Sequence, residues 1–439
     1  MSKAQLQFAL PTRYRNPHSA SRQIKRSKTV ALLFLVAAFL HFIVVSRSNR
    51  NALSAKYSPT VYSSLSTQQN ENLAGDHWRW DSKATPNALD SEYSRKRLLE
   101  NRHNWRALGS GFEGETFTYD GVVIKAYRSA NAPFRNCVPG LGLSLRWPTE
   151  ISASLVLGGL AENTTVGEHD NFVPVVDYFL APVDNDEHLK WHFVTPFLSA
   201  GHLKSLAKRI RRSEQKYTAQ ELDILFRPSF EHVLVALDVM HTSHDLCHDD
   251  IKPDNIFLAT STDGTTNANE TTHWLLADMG NVRQVNHPYH QSIIWTRDNL
   301  PDCRANDAFR LVKSYMKFLS RASHDSAAFN EQFLAGETAW SRLFWATWRD
   351  VQQNVPVSAA RLSARSQSLD FVPGSHSRPS SLGRWPTELR DPVYWSLLGR
   401  EKMLAREVKN KLFIGATEIP ARLWGMSPIL GIPVPECRS

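Results

Sequence analysis

The sequence predicts a mixed α+β domain that follows a single membrane-spanning helix, and three observations lead to this fold class. Residues 30–45 are apolar apart from His41, which is the composition of a membrane span. Strand-like runs such as residues 122–124 come early in the region that follows. Apolar residues with helical spacing, such as Phe309 and Val312, come later. A run of strands followed by a run of helices is typical of the α+β class.

The composition is that of a globular protein with a large core. The chain has 439 residues, of which 42% are hydrophobic and 21% are charged, and this excludes a mainly disordered or collagen-like chain. The net charge is +8, but the first 50 residues contain nine basic and no acidic side chains. The rest of the chain is therefore close to neutral, and we expect no nucleic-acid partner.

The N-terminal region predicts a membrane anchor and its orientation. Residues 1–28 form a basic tail, and residues 29–46 form the predicted transmembrane anchor, whose short length suits an endoplasmic-reticulum bilayer. The basic residues near the anchor lie mostly before it (Arg13, Arg15, Arg22, Lys25, Arg26, Lys28) rather than after it (Arg47, Arg50, Lys56). The positive-inside rule then keeps the tail in the cytosol and places the remaining chain in a lumen, with endoplasmic reticulum or Golgi favoured, or outside the cell.

Three alternatives to this anchor stay open. A buried core helix and a cleaved signal peptide have a similar apolar run. A mitochondrial presequence is the third, because the first 70 residues are rich in Arg and Ser and contain no acidic residue. Two features beyond the anchor suit a lumen: the glycosylation sequons at Asn163 and Asn269, and the position of all four cysteines (Cys137, Cys247, Cys303, Cys437), which could form disulfides there.

The remaining chain divides into a linker and one globular domain. Residues 47–97 begin with a run of Ser, Thr, Asn and Gln, which predicts a flexible linker. Residues 98–439 form the predicted domain, with a loose, Ser-rich insert at about residues 357–382.

A glycine pattern opens the domain, and its context gives it meaning. Gly109, Gly111 and Gly114 form a G-x-G-x-x-G pattern, which is weak evidence alone. A dinucleotide fingerprint would run directly into a helix. Here the glycines lead into a strand, an Asp-Gly turn and a second strand that contains Lys125, which together predict a β-hairpin.

The hairpin and two later motifs resemble the protein kinase superfamily. The glycine pattern and Lys125 resemble the glycine-rich loop and the V-A-I-K lysine. Residues 247–258 (CHDDIKPDNIFL) resemble the catalytic loop, and residues 278–280 (DMG) resemble the D-F-G triplet. The resemblance implies a bilobal fold, with a small β-rich lobe at about residues 98–198 and a larger helical lobe at about residues 199–439.

The resemblance also implies ATP and Mg2+ as cofactors and a role for each matching residue. The residues it assigns to ATP are Gly109, Ser110, Gly111, Phe112, Glu113, Gly114, Lys125 and Glu150. Asp250 would be the base that orients the acceptor hydroxyl, with Lys252 beside the transferred phosphate. Asn255 and Asp278 would hold Mg2+, and Asp307 resembles the buried aspartate of the central helix in the large lobe.

The implied function is transfer of the γ-phosphate of ATP to a Ser/Thr hydroxyl of a protein, because a lysine two residues after the catalytic aspartate is the Ser/Thr pattern. Two alternatives stay open. A pseudokinase or binding module is one, since Val123 and Phe257 narrow the adenine slot. A lumenal kinase of a glycan or small molecule is the other, since no A-P-E motif follows Asp278 and the segment up to Asp302 is short.

One departure from the family bears on regulation. Asp249 stands where the family has an arginine that binds a phosphorylated activation loop. Because a carboxylate repels phosphate, we expect activity that does not depend on phosphorylation of residues 280–302. The hydroxyl-bearing side chains there are Tyr289, Ser292 and Thr296.

Overall fold

The first element of the structure is one long helix, part of which is strongly apolar. The computed structural model describes residues 17–60, 90–111, 113–128, 134–137, 146–161, 171–183, 186–259, 273–368, 399–415 and 419–425. Its first element, α1 (Pro17–Lys56), contains a part, Thr29–Lys56, with a mean hydropathy of 2.5 in its most apolar window, none of which is buried. The prediction of one apolar N-terminal helix is confirmed, and both a membrane span and a signal sequence fit it.

The end of α1 packs against the rest of the protein. Leu53 and, just beyond the helix, Tyr57 are buried in a cluster with Tyr289 and Trp295. The flexible linker predicted from residue 47 onward therefore differs from the structure at its start. The polar composition concealed Leu53 and Tyr57, which lie one helical turn apart and present a common apolar side. Residues 61–89 of the predicted linker lie outside the described part of the chain.

A five-stranded antiparallel sheet follows, in the order β1-β2-β3-β7-β6. Its strands are β1 (Arg106–Ser110), β2 (Gly114–Tyr119), β3 (Val122–Tyr127), β6 (Asp177–Val183) and β7 (Asp186–Pro196). The predicted hairpin is present as β2 and β3. Asp120 and Gly121 turn it with φ of 47° and 78°, the left-handed pair that a two-residue type I′ turn requires.

Two helices cover the two faces of this sheet. The helix α2 (Asp90–Glu100), which begins in the predicted linker and ends in the predicted domain, contributes Leu98 and Leu99 against the face that carries Ile124. The helix α3 (Thr149–Leu157) packs Ile151 and Leu155 against the opposite face. The short strands β4 (Asn136–Cys137) and β5 (Arg146–Trp147) pair just before α3. The sheet therefore has a core on each side.

The C-terminal part is mainly helical. Its helices are α4 (Leu203–Arg212), α5 (Ala219–Thr242), α6 (Ile293–Asp298), α7 (Cys303–Ala322), α8 (Ser326–Ala335), α9 (Ala339–Gln352), α10 (Ala359–Ser368), α11 (Arg400–Lys411) and α12 (Ile419–Gly425). The largest buried cluster is built mostly from α5, α7, α8 and α9. The predicted loose insert at 357–382 begins as α10, because Ala359 and Leu362 are buried, and its remainder from residue 369 lies outside the described residues. The mixed α+β class is confirmed.

Two two-stranded ladders join the helical part to the site. The strands are β8 (Leu246–Cys247), β9 (Ile256–Leu258), β10 (Trp274–Leu276) and β11 (Arg283–Gln284). β9 pairs with β10, and β8 pairs with β11, both antiparallel. A disulfide between Cys247 and Cys303 connects β8 to the first turn of α7. These links bring residues 247–258 and 274–284 onto one side of α7.

Candidate active site

The glycine-rich turn joins β1 to β2. The Gly111 N–H donates to the Gly114 carbonyl oxygen at 2.8 Å. A Cβ at Gly114 would lie 2.3 Å from the Ala126 carbonyl oxygen on β3, so only glycine permits this close strand approach. At Gly109 and Gly111, a Cβ would meet no described atom within 4 Å, which leaves space for a ligand beside the backbone. Ser110 ends β1 with an exposed side chain, and Phe112 lies outside the described residues.

Lys125 on β3 lies among acidic side chains from two other elements. Its Nζ donates to Glu150 Oε2 on α3 at 2.5 Å and lies 3.2 Å from Glu113 Oε2 in the glycine-rich turn. The Tyr127 hydroxyl donates to the same Glu150 oxygen. The structure therefore brings together three residues that the sequence assigned to ATP, and adds Tyr127, which sequence reasoning missed. Side chains alternate along a strand, so a tyrosine two positions after Lys125 lies on the same face of β3. This two-residue spacing could have indicated Tyr127 from the sequence.

The electrostatics of this group depend on a surplus of carboxylates. Burial works to lower the pKa of Lys125, but Glu150, with Glu113 and Asp278 acting in the same direction, holds that pKa well above its usual range. Burial raises the pKa of Glu150, and Asp278 and Glu113 add to the rise against the effect of Lys125. A bound cation would relieve this surplus of negative charge.

Asp250 lies in the loop between β8 and β9, within reach of three cationic or amide groups. Lys252 Nζ donates to Asp250 Oδ2 at 2.7 Å, and Asn255 Nδ2 donates to the Asp250 carbonyl oxygen at 3.0 Å. Arg310 on α7 places Nη2 3.4 Å from Asp250 Oδ1. The Asp250 side chain remains 23% exposed, so a hydroxyl could reach its carboxylate. Burial lowers the pKa of Lys252, but Asp250 and then Asp278 reverse this and raise it.

A buried aspartate holds the backbone of this loop through hydrogen bonds. Asp307 on α7 is fully buried. Its carboxylate accepts hydrogen bonds from the backbone N–H groups of His248 at 2.6 Å and of Asp249 at 3.0 Å. His248 Nε2 lies 3.0 Å from the carbonyl oxygen of Ala277, next to Asp278. The Cys247–Cys303 disulfide fixes the chain one residue before His248. The resemblance implied a buried aspartate at this position, and Asp307 is buried.

Asp278 follows β10 and is brought to Asn255 by the β9–β10 ladder. The Ala277 N–H donates to the Asn255 carbonyl oxygen at 3.0 Å. Asp278 has a φ of 61°, a conformation that few non-glycine residues adopt and that is concentrated at functional sites. Burial works to raise the pKa of Asp278, but Lys125 and Lys252 outweigh it and lower the pKa. The carboxylate is therefore ionised at neutral pH.

These two residues offer oxygen ligands to a cation. The amide nitrogen of Asn255 is engaged with Asp250, so the amide oxygen is the atom Asn255 would offer. Carboxylate and amide oxygens are the ligands that Mg2+ prefers. Two other buried groups, His241–Cys247–Asp307 and Cys247–Asp249–Cys303, also have the spacing of a metal site. Both need the sulfur of Cys247, which is bonded to Cys303 and offers no thiolate.

Arg135 connects two parts of the candidate site, and motif analysis missed it. Its Nε donates to Thr149 Oγ1 at 3.2 Å, and its Nη2 donates to the Gly280 carbonyl oxygen at 2.9 Å. It thereby joins the start of α3, which carries Glu150, to the turn after Asp278. No motif surrounds this arginine in the sequence, and no local pattern could have indicated its role.

The assembled residues support three chemical operations. Lys125 and the open glycine backbone can bind a polyanion, as in phosphate-binding loops. Asn255 and Asp278 can hold a divalent cation. Asp250 can accept a hydrogen bond from a hydroxyl that becomes a nucleophile.

No protein-family model matches the chain, and no curated protein matches it.

Proposed function

We propose that this chain is a membrane-anchored, ATP-dependent kinase of the protein kinase superfamily that transfers the γ-phosphate to a Ser/Thr hydroxyl of a protein. In this proposal the sheet with α3 and the end of α2 is the small lobe, about residues 98–198, and the later helices belong to the large lobe, about residues 199–439. The observation that carries it is a convergence. Lys125 and Glu150 form one ion pair, and the charge of Lys125 also acts on Asp278, which is joined through β9 and β10 to Asn255.

Each residue has a defined task in the proposed reaction. Lys125, held by Glu150, binds the phosphates of ATP, and the backbone N–H groups near Gly109 and Gly111 approach them. Asp250 orients the acceptor hydroxyl and takes its hydrogen bond, while Lys252 lies beside the phosphate in transfer. Mg2+ held by Asn255 and Asp278 would supply neutralisation of the phosphate charge.

Two alternatives rest on specific observations. The segment between Asp278 and α7 is short, and the Cys247–Cys303 disulfide links the start of α7 to β8, which leaves little extended surface for a peptide and favours a glycan or small-molecule acceptor. Val123 and Phe257 beside the proposed adenine slot favour a pseudokinase that binds a nucleotide or a partner without transfer.

We also propose a lumenal location, with the N-terminus in the cytosol and the endoplasmic reticulum or Golgi as the compartment. The apolar part of α1 and the Cys247–Cys303 disulfide support it, because disulfides form and persist in oxidising compartments. The sequons at Asn163 and Asn269 lie outside the described residues. Glycosidase treatment should increase the electrophoretic mobility of the expressed protein. An unglycosylated protein that imports into mitochondria would contradict the proposal in favour of the presequence alternative.

Transfer of radiolabelled γ-phosphate tests the activity. The full chain with Mg-ATP is presented with a peptide library and with a glycan panel, and nucleotide binding is measured in parallel. We expect Asp250→Asn to reduce transfer by about a hundredfold or more, the contribution of a positioned base. Asp278→Ala should abolish it. Asp254→Asn is the matched control, because that carboxylate, in the same loop, bonds Lys204 at 2.8 Å instead. Nucleotide binding without transfer to any acceptor would contradict the kinase proposal and support a binding module.

A further inference from the structure

A separate cavity is lined in part by Arg310, the side chain that also contacts Asp250. Its volume is 340 Å³, and its lining comes from α6, α7, α9 and the end of α11. Arg310 places Nη2 3.4 Å from Asp250 Oδ1 and donates through Nε to the Ile251 carbonyl oxygen at 3.2 Å. A group in the cavity would therefore be one side chain away from the proposed base.

Positive charge dominates the lining of this cavity. Four basic residues line it (Arg297, Arg310, Lys313, Lys411), against one acidic residue, Asp298. Most of these charges are held in place by the fold. Arg310 is buried, and Lys313 Nζ donates to the Phe413 carbonyl oxygen at 3.2 Å and lies 4.5 Å from the ring centre of Phe309. Lys411 Nζ lies 4.5 Å from the ring centre of Trp348 and 3.5 Å from Glu407 Oε1.

The crowding of positive charges lowers the pKa of one of these lysines. Burial, with Arg310, Lys317 and Lys411 acting in the same direction, lowers the pKa of Lys313 to about 8. The surroundings of the Lys313 ammonium therefore carry too little negative charge to balance it. An anion placed among these cations would remove that repulsion. A cavity of this size, with several convergent charged groups, has the dimensions of a small-ligand pocket or of a pocket for one side chain.

We propose that this cavity binds the anionic group of a residue close in sequence to the accepting Ser or Thr. That group is the carboxylate of an acidic residue or the phosphate of a phosphorylated one. This inference rests on the proposed kinase function and specifies its substrate class as acidic peptides. Arg310 connects the two sites: it contacts the carboxylate of Asp250, where the hydroxyl is oriented, and it faces the cavity where the acidic side chain is held.

Peptide binding to the full chain in detergent micelles tests the inference without requiring catalysis. The probes are a Ser peptide with flanking Glu residues, the same peptide with Gln in their place, the phosphorylated counterpart, and glucuronate and a sugar phosphate as anions from another source. Charge-assisted hydrogen bonds contribute about 1.5 kcal/mol or more, so we expect the Glu and phosphorylated peptides to bind about tenfold tighter than the Gln peptide.

Three variants locate the preference. Lys313→Met and Arg297→Gln should each reduce it at least about threefold, and Arg297 is exposed, so its replacement does not disturb the core. Lys317→Met is the matched control, since it removes a positive charge from the same helix one turn on but does not line the cavity. The preference should persist in that variant.

The outcomes separate the two proposals. Absence of a preference for the acidic peptides, or an equal loss of it in Lys317→Met, would overturn the inference. Tight binding of the acidic sugars without a peptide preference would overturn it in favour of a sugar-acid site. Failure of γ-phosphate transfer while the charge preference and its loss in Lys313→Met remain would contradict the kinase function alone.

Discussion

The carboxylate of Asp249 accepts a hydrogen bond from the guanidinium of Arg283 at 2.9 Å, and both side chains are only 2% exposed. His290 Nε2 lies 2.9 Å from the same oxygen. Burial works to raise the pKa of Asp249, but His290 and Arg283 outweigh it and lower that pKa. Arg283 and His290 both belong to the segment that follows Asp278. This segment is therefore held against residues 247–258 by charges that the chain itself supplies, without a phosphate.

We predict that phosphorylation of this segment does not control activity. Tyr289 is buried, and Ser292 caps α6 by accepting the Trp295 N–H, so Thr296 is the exposed one of the three hydroxyl residues. Phosphatase treatment and Thr296→Ala should each leave transfer within about twofold of the untreated protein. A tenfold loss in both, a barrier change of about 1.4 kcal/mol, would show that the segment is a phosphorylation switch.

Asp249→Asn should destabilise the fold strongly. It leaves the buried guanidinium of Arg283 without its counter-charge, and breaking a buried pair in this way costs about 3–5 kcal/mol. Denaturant unfolding measures the change in the free energy of unfolding. The matched control is Asp120→Asn, which removes a 2.6 Å ion pair to Arg97 whose partners are more than half exposed. That pair should contribute less than about 1 kcal/mol. Equal effects of the two variants would contradict a structural role for Asp249.

The protein should lose stability as the pH falls below about 6.5. Burial, with Arg283 and Arg135, lowers the pKa of His287 to about 3, and burial, with Arg102, lowers that of His192 to about 4. The unfolded chain takes up protons near pH 6.5, while these two folded rings stay neutral, so acidification favours unfolding. Each histidine should account for about 2 kcal/mol between pH 6.5 and pH 5.

His290 does not offset this loss. Burial works to lower its pKa, but Asp249 raises it above the usual value, so below pH 6.5 the ring is protonated in both the folded and the unfolded chain and adds no further dependence on pH. Its own stabilisation is complete there and declines as the pH rises through its folded pKa. His287→Gln should remove about half of the acid-dependent loss, as read from unfolding at the two pH values. An unchanged slope would show that His287 titrates normally in the folded protein.

Glu113→Gln should strengthen binding of Mg-ATP. The Glu113 carboxylate lies 3.2 Å from Lys125 Nζ, so the phosphates of ATP would have to replace it or lie beside it. Because Glu113 is 46% exposed, the gain is that of a surface pair, below about 1 kcal/mol, or up to about fivefold in affinity. Glu115→Gln is the control, since Glu115 pairs with Arg128 instead. Weaker nucleotide binding in Glu113→Gln would mean that this carboxylate takes part in the binding itself.

Leu53→Ala should cost about 2–5 kcal/mol, because Leu53 is fully buried where α1 meets the cluster around Trp295. Leu35→Ala, in the same helix but 65% exposed, should cost far less in detergent. Thermal unfolding of the two variants compares them. Equal stability would contradict the packing of α1 against the rest of the protein.

The sequence by itself determined the elements that have a local cause. The Asp120-Gly121 dipeptide specifies a tight turn, and the β2–β3 hairpin follows from it; the apolar run at 30–45 specifies a helix that has no buried residue over that run. The candidate roles of Asp250 and Asp278 came instead from the resemblance of residues 247–258 and 278–280 to protein kinase motifs. The packed end of α1 could not be read from the sequence, since its polar composition resembles that of a free linker.

Only the tertiary structure decided which charges meet. Arg283 follows Asp249 by 34 positions, Arg135 reaches Gly280 across 145, and Arg310 reaches Asp250 across 60. Each pair forms because helices and ladders that pack for hydrophobic reasons carry the two groups into one low-dielectric place, where a charge without a partner is costly. A single sequence records the residue types of such pairs but contains no local pattern that joins them, because the energy that selects the partner arises only after burial.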